Sequence, residues 1–208
     1  MPKQNRVTPN GDIIAHPAHG SLMGNRGVIH NNDNQISKIY SSKAWLICQL
    51  HYKNKTIPVM APGCHTQLFF LDEATALAAG HRPCFICQRS RAKQYQAAWQ
   101  RAHQTATLPT APQIDATLHQ ERLTYSSNRR DNSKKTYQDT LHQLPAGTII
   151  SFHNQPHLYW QQQLYPWTIT GYQPPIHPDT TTTVTVLTPS STVALFHHGF
   201  IPHTHPSI

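Results

Sequence analysis

The sequence predicts an α+β chain: a small αβ unit made of a hairpin, a helix, a tight turn carrying two cysteines and a second helix, then a β-rich part that closes with a short helix. Three stretches support this expectation. Phe69 to Arg89 reads FFLDEATALAAGHRPCFICQR, a short apolar pair leading into an alanine-rich helical run that Gly80 stops. Directly after Cys87, the text QRSRAKQYQAAWQRAHQ lacks Gly and Pro, and Tyr95, Ala98, Trp99 and Ala102 recur at helical spacing. The last third holds LPAGTIISF, PHLYWQQ, LYPWTITGY and TTTVTVLTP, β-prone runs parted by Pro and Gly turns, which predict about four strands in a small sheet or partly open barrel.

Taken in order, residues 1–20 are rich in Pro, Asn and His without hydrophobic periodicity and are expected to form an extended arm. Residues 21–123 form the αβ unit. Near its start, Gly20, Gly24 and Gly27 call for turns or close backbone approach. Arg26, between Asn25 and Gly27, offers a guanidinium to a phosphate, although a structural turn is the favoured reading and the Gly-Lys-Ser/Thr ending of a P-loop is missing. Ala44 to Leu50 is apolar enough for a buried strand bearing Cys48. Lys53-Asn54-Lys55 then reads as a turn and Thr56 to Met60 as the returning strand of a hairpin. Beyond the helix after Cys87, a breaker-rich linker (Thr105 to Pro112) leads to a helix beginning near Ile114. Residues 124–140 are a polar, basic loop or linker, and 141–208 are the β-rich subdomain, with Ser190 to Phe200 as its closing helix.

Charged residues make up 12% of the chain, about half the usual share, so this is a polar chain rich in Gln, Asn, Thr, Pro and His. Seventeen Lys and Arg against nine Asp and Glu leave a formal charge of +8. A basic surface suits polyanions, and nucleic acid is the commonest one in a cell. No apolar run follows the basic residues of the N-terminus, and no stretch nears the roughly 18 apolar residues of a membrane span. A soluble cytoplasmic protein with no membrane partner is expected, and its thiols then stay reduced. The sequence has no Gly-x-Ser-x-Gly, P-loop or dinucleotide fingerprint, which argues against the commonest hydrolases, NTPases and dehydrogenases and against a nucleotide cofactor.

In a reducing compartment, Cys84-x-x-Cys87 reads as a metal-binding pair, because two thiolates on one tight turn meet half of a tetrahedral zinc ion's needs. The only other cysteines are Cys48 and Cys64. Cys48, Cys64, Cys84 and Cys87 are therefore the leading set for a structural Zn²⁺. A histidine (His65, His51 or His30) in place of Cys64 is the alternative. A redox dithiol fits less well, since such a pair opens a helix after a strand, whereas this one follows a helix stop.

The string FF-x-D-x-x-x-ALAAG-x-RPC-x-x-C, residues 69–87, resembles the end of the N-terminal zinc domain of the Ada DNA-repair methyltransferase family, which carries a nearly identical FF…ALAAGFRPCKRC stretch. Cys84 and Cys87 match that family's second pair of zinc ligands. The resemblance implies a zinc-built fold and a DNA-facing role. In that family the first two cysteines form C-x-x-x-C and one accepts the methyl group. Cys48 and Cys64 are too far apart for that motif, so methyl transfer is not implied.

For nucleic acid, the expected phosphate contacts are Arg89, Arg91 and Lys93 on the helix after Cys87, and Arg129 and Arg130 in the basic loop, with DNA favoured over RNA. An alternative is a metal-dependent nuclease or other nucleic-acid-modifying enzyme using Asp115, His119 and Glu121, since Asp115 and His119 lie one helical turn apart. A third reading is a zinc-folded scaffold whose aromatic residues Trp160, Tyr165, Trp167 and Tyr172 face a protein partner.

Overall fold

Two six-stranded sheets and four α-helices make up residues 1–53, 58–124 and 133–208, the residues described by the computed structural model. The class is α+β. The first part runs β1 (Gln4–Val7), β2 (Ile13–Ala15), β3 (Leu22–Asn25), β4 (Leu46–Cys48), β5 (Leu68–Phe70), α1 (Glu73–Ala78), β6 (Arg82–Pro83), α2 (Arg89–His103) and α3 (Ala111–Arg122). The second runs β7 (Tyr137–Thr140), β8 (Ile149–Phe152), β9 (Gln155–Trp160), β10 (Gln163–Thr168), β11 (Gly171–Tyr172), β12 (Thr183–Val186) and α4 (Ser190–His197). Among the described residues, no helix is long and apolar enough to cross a membrane.

The first sheet has the order β2-β1-β5-β3-β4-β6. Residues 1–20, expected as an extended arm, thus supply two strands: β1 pairs antiparallel with β2 and parallel with β5. The hairpin expected over residues 43–60 is not formed. β4 instead pairs antiparallel with β3 and parallel with β6, which occupy both of its edges, and residues 58–60 carry no strand; residues 54–57 lie outside the described residues. The glycine-rich stretch expected as a turn includes β3. A Cβ at Gly24 would lie 2.1 Å from the Leu46 carbonyl oxygen and 2.7 Å from the Phe70 ring, so only glycine lets β3 fit there.

Each helix has a local cause. The Asp72 carboxylate accepts from the Thr75 N–H at 2.8 Å and starts α1, and Gly80 (φ +86°) ends it in the left-handed region. All six residues of α1 are buried, since it lies between the two parts of the molecule. Ala76 and Leu77 join a core with Phe70, Tyr95, Trp99, Ile114, Leu118 and Phe196, while Ala74 and Ala78 pack with Ile149, Leu158, Tyr172 and Leu187. The stripe expected on α2 is real: Tyr95, Ala98 and Trp99 are buried and Ala102 packs against the same core. Thr110 and Gln113 form a capping box at the start of α3.

The second sheet has the order β11-β10-β9-β8-β12-β7, six strands where about four were expected. Its β8–β9 and β9–β10 hairpins turn on His153-Asn154 (φ 49° and 61°) and Gln161-Gln162 (φ 47° and 60°). Both turns place two consecutive residues at positive φ, the arrangement that matches the right-handed twist of the strands.

Candidate metal centre and its surroundings

The sheet register builds the cysteine cluster. β4 and β6 run parallel with Ile47 opposite Pro83, and the Cys84 N–H donates to the Ile47 carbonyl at 2.9 Å. The residues that follow in each strand, Cys48 and Cys84, therefore lie side by side. The chain then turns back on itself, with the Gln88 N–H donating to the Cys84 carbonyl at 3.0 Å, and this brings in Cys87. The sulfurs of Cys48, Cys84 and Cys87 all lie within 4.8 Å of one another. It is the one such ligand group among the described residues.

Backbone amides also point at these sulfurs. The Ile86 N–H donates to Cys84 Sγ at 3.4 Å, and the Cys87 and Gln49 amides donate to Cys84 and Cys87. Such donors orient and stabilise thiolates around a metal. Hydrogen bonding with the Cys84 and Cys87 sulfurs, then burial, pushes the Cys48 thiol far above the ordinary range; hydrogen bonds from Cys48 and Cys87 draw Cys84 far below it. Three sulfurs this close share a first negative charge easily and resist a second and third. A bound cation is what allows all three to ionise.

Cys64 lies outside this group. It sits half-buried in a turn where its N–H donates to the Ala61 carbonyl at 3.1 Å. The alternative histidines are also outside it. His30 is buried, with Nδ1 2.6 Å from Thr66 Oγ1 and Nε2 3.3 Å from the Ala61 carbonyl, while His51 and His65 are exposed. The described residues thus offer a metal three thiolates and leave a tetrahedral ion's fourth position to another ligand.

The candidate nuclease residues do not converge. Asp115 is buried and takes both nitrogens of one edge of Arg82, Nε at 2.9 Å and Nη2 at 2.6 Å. Glu121 accepts from Ser190 Oγ at 3.1 Å and Ser191 Oγ at 2.6 Å at the start of α4. His119 is buried against the Tyr40 ring, with centroids 4.8 Å apart, and burial holds its imidazole below the ordinary range. Helical spacing correctly places Asp115 and His119 on one face, but that face is the inner one.

Of the expected phosphate contacts, Arg89 and Lys93 are exposed on the first turns of α2. Arg91 is engaged internally: it grips Glu73 at 2.8 and 2.6 Å, donates to the Ile201 carbonyl at 2.6 Å and lies 3.9 Å above the Phe200 ring. Arg129 and Arg130 lie outside the described residues. Before Arg89 and Lys93 in the chain, Ile86 at the tip of the cysteine turn is 72% exposed. A buried group of Arg26, Trp45 and Arg122 was not foreseen as a unit. Its one legible sign was Arg26 between Asn25 and Gly27.

The fold and site define an α+β protein with a three-cysteine metal-ligand group. Compared with protein-family models, curated proteins and solved structures, the chain shows no significant match.

Proposed function

We propose that the protein binds a structural zinc ion through Cys48, Cys84 and Cys87 and uses the surface beside that ion to bind nucleic acid, DNA ahead of RNA. Zinc is favoured because three thiolates are a soft ligand set and the turn fixes a tetrahedral edge. The observation behind the nucleic-acid reading is that Ile86, at the tip of the cysteine turn, and Arg89 and Lys93, on the first turns of the helix that follows it, are all exposed. Cations there meet phosphates, while the aliphatic tip packs against a base or sugar. The likeness of residues 69–87 to the Ada zinc domain points the same way. A cytoplasmic location belongs to this reading.

Binding of a labelled duplex, followed by fluorescence anisotropy, tests it. Affinity is expected to fall steeply between about 50 mM and about 200 mM salt, and Arg89→Ala with Lys93→Ala to reduce the salt slope by roughly two contacts. Absence of any binding of DNA or RNA at about 50 mM salt would end this reading.

A further inference from the structure

Gly80 and His81, between α1 and the metal turn, border a second polar centre that has nothing to do with cysteine. Arg26 and Arg122 are 1% and 2% exposed, and both guanidinium groups lie against the Trp45 ring, 3.9 and 4.6 Å from its centroid. Half-buried Lys134 reaches the same place, with Nζ 2.6 Å from the Ala78 carbonyl. These cations and Trp45 line a pocket of about 360 Å³, with exposed Asp12 also on its wall. The fold makes specific room for them. Gly80 stands where a Cβ would lie 2.7 Å from Arg122 Cγ.

The internal hydrogen bonds leave two donors of Arg122 unsatisfied. Arg26 uses Nε on His81 Nε2 (3.2 Å) and Nη2 on the Gly11 carbonyl (3.0 Å). Arg122 uses Nη1 on the Lys43 carbonyl at 2.8 Å, but its Nε and Nη2 are buried with no partner, as is Trp45 Nε1. Nε–H and Nη2–H form the side of a guanidinium that grips an oxyanion at two points. A buried donor pair without an acceptor is costly, so a native protein that keeps one normally has something to fill it.

The charges agree. Among the described residues lining the pocket, Arg26, Arg122 and Lys134 face one carboxylate, Asp12, so the fully protonated pocket carries two positive charges in excess. The acids nearest Arg122 elsewhere are committed, Asp115 to Arg82 and Glu121 to Ser190 and Ser191. Burial, with mutual repulsion added, pushes Arg26 down to about 9 and Lys134 down to about 7. Groups so placed regain their ordinary charge when an anion arrives.

We propose that this pocket binds a phosphate-class oxyanion, either inorganic phosphate or the phosphate of a small phosphomonoester. A dianion matches the excess charge, and the volume falls within the range of small-molecule sites, roughly 300–1,000 Å³. The site uses none of Ile86, Arg89 or Lys93, so it stands apart from the nucleic-acid surface.

Calorimetric titration of the metal-loaded protein with inorganic phosphate, and separately with glycerol 3-phosphate, tests it at fixed ionic strength. Saturable one-to-one binding is expected for at least one of them, and the tighter of the two identifies the source. Lys134→Gln, which keeps a donor for the Ala78 carbonyl, should weaken binding at least about tenfold, and Arg89→Ala should leave it unchanged. Arg122→Gln should abolish binding, but that variant risks misfolding, so Lys134→Gln decides. One-to-one binding by neither compound, or binding that Lys134→Gln leaves unchanged, overturns the proposal, whatever the outcome with DNA.

Discussion

Arg82 and Asp115 form a two-point ion pair inside the protein, Nε to Oδ1 at 2.9 Å and Nη2 to Oδ2 at 2.6 Å, with side chains 5% and 8% exposed. The pair ties β6, whose next residue is the candidate ligand Cys84, to the inner face of α3. Arg82 also stacks toward Phe85, 5.4 Å from its ring centroid, so the same guanidinium touches the cysteine turn. The cysteine turn is therefore braced by a helix that begins more than twenty residues later in the chain.

Removing one partner of a buried pair leaves the other charged and unmatched, which costs about 3–5 kcal/mol. Asp115→Asn is expected to lower unfolding free energy by that amount in urea titrations and to loosen metal binding. Replacing both residues by apolar ones of similar size should recover much of the stability, because neither charge then remains buried. An Asp115→Asn protein as stable as the wild type would show that the pair does not hold this turn.

Gly80 has two independent reasons to be glycine: φ of +86° and the Arg122 side chain 2.7 Å from where a Cβ would stand. Gly80→Ala should cost about 1–3 kcal/mol of stability from backbone strain alone, with the clash in addition. Thermal or urea denaturation measures it. Gly63, also at positive φ (+72°) but with nothing near its Cβ position, is the matched control and should lose less.

Burial, followed by the charges of Arg26 and Arg122, holds His81 well below the ordinary imidazole range, and its Nε2 accepts from Arg26. Burial also lowers His119. The His81 ring is neutral in the folded protein, and the His119 ring gives up its proton more readily than a free imidazole. Below about pH 6.5 the unfolded chain binds a proton on His81 and the folded chain does not, so stability falls as pH falls, by up to about 1.4 kcal/mol per pH unit, with a smaller contribution of the same sign from His119. Above about pH 6.5 the rings are neutral in both states and this dependence vanishes. Urea midpoints between about pH 8 and about pH 5 should show the decline, and His81→Gln should flatten it; a level profile would contradict a buried neutral His81.

Much of the first part of the fold was readable because its signals are local. The Tyr95, Ala98 and Trp99 stripe announces α2, and the alanine-rich run with Gly80 after it announces α1. What escaped was non-local. The edges of β4 are filled by β3 and β6, and no local pattern around Cys48 distinguishes that from a hairpin. His153-Asn154 and Gln161-Gln162 make tight positive-φ turns without the glycine that usually marks them. Cys48 and Cys84 were joined correctly on chemistry, because soft ligands are scarce in this chain, yet the same scarcity drew in Cys64, which the fold places in a separate turn. Arg91 reads as a phosphate contact and Asp115 as a candidate catalytic carboxylate only until their partners, Glu73 and Arg82, are known. Arg122 carries no local sign of its burial, since a buried arginine has no sequence signature of its own.

The central claim is the three-cysteine metal centre, and metal analysis of freshly prepared, reduced protein across a cysteine series tests it most directly. Wild type and Cys64→Ser should each hold about one zinc per chain, while Cys48→Ser, Cys84→Ser and Cys87→Ser should each lose the metal together with much of the folded structure. A metal-free wild type, or a Cys64→Ser protein that loses its metal while Cys48→Ser retains it, would contradict the account.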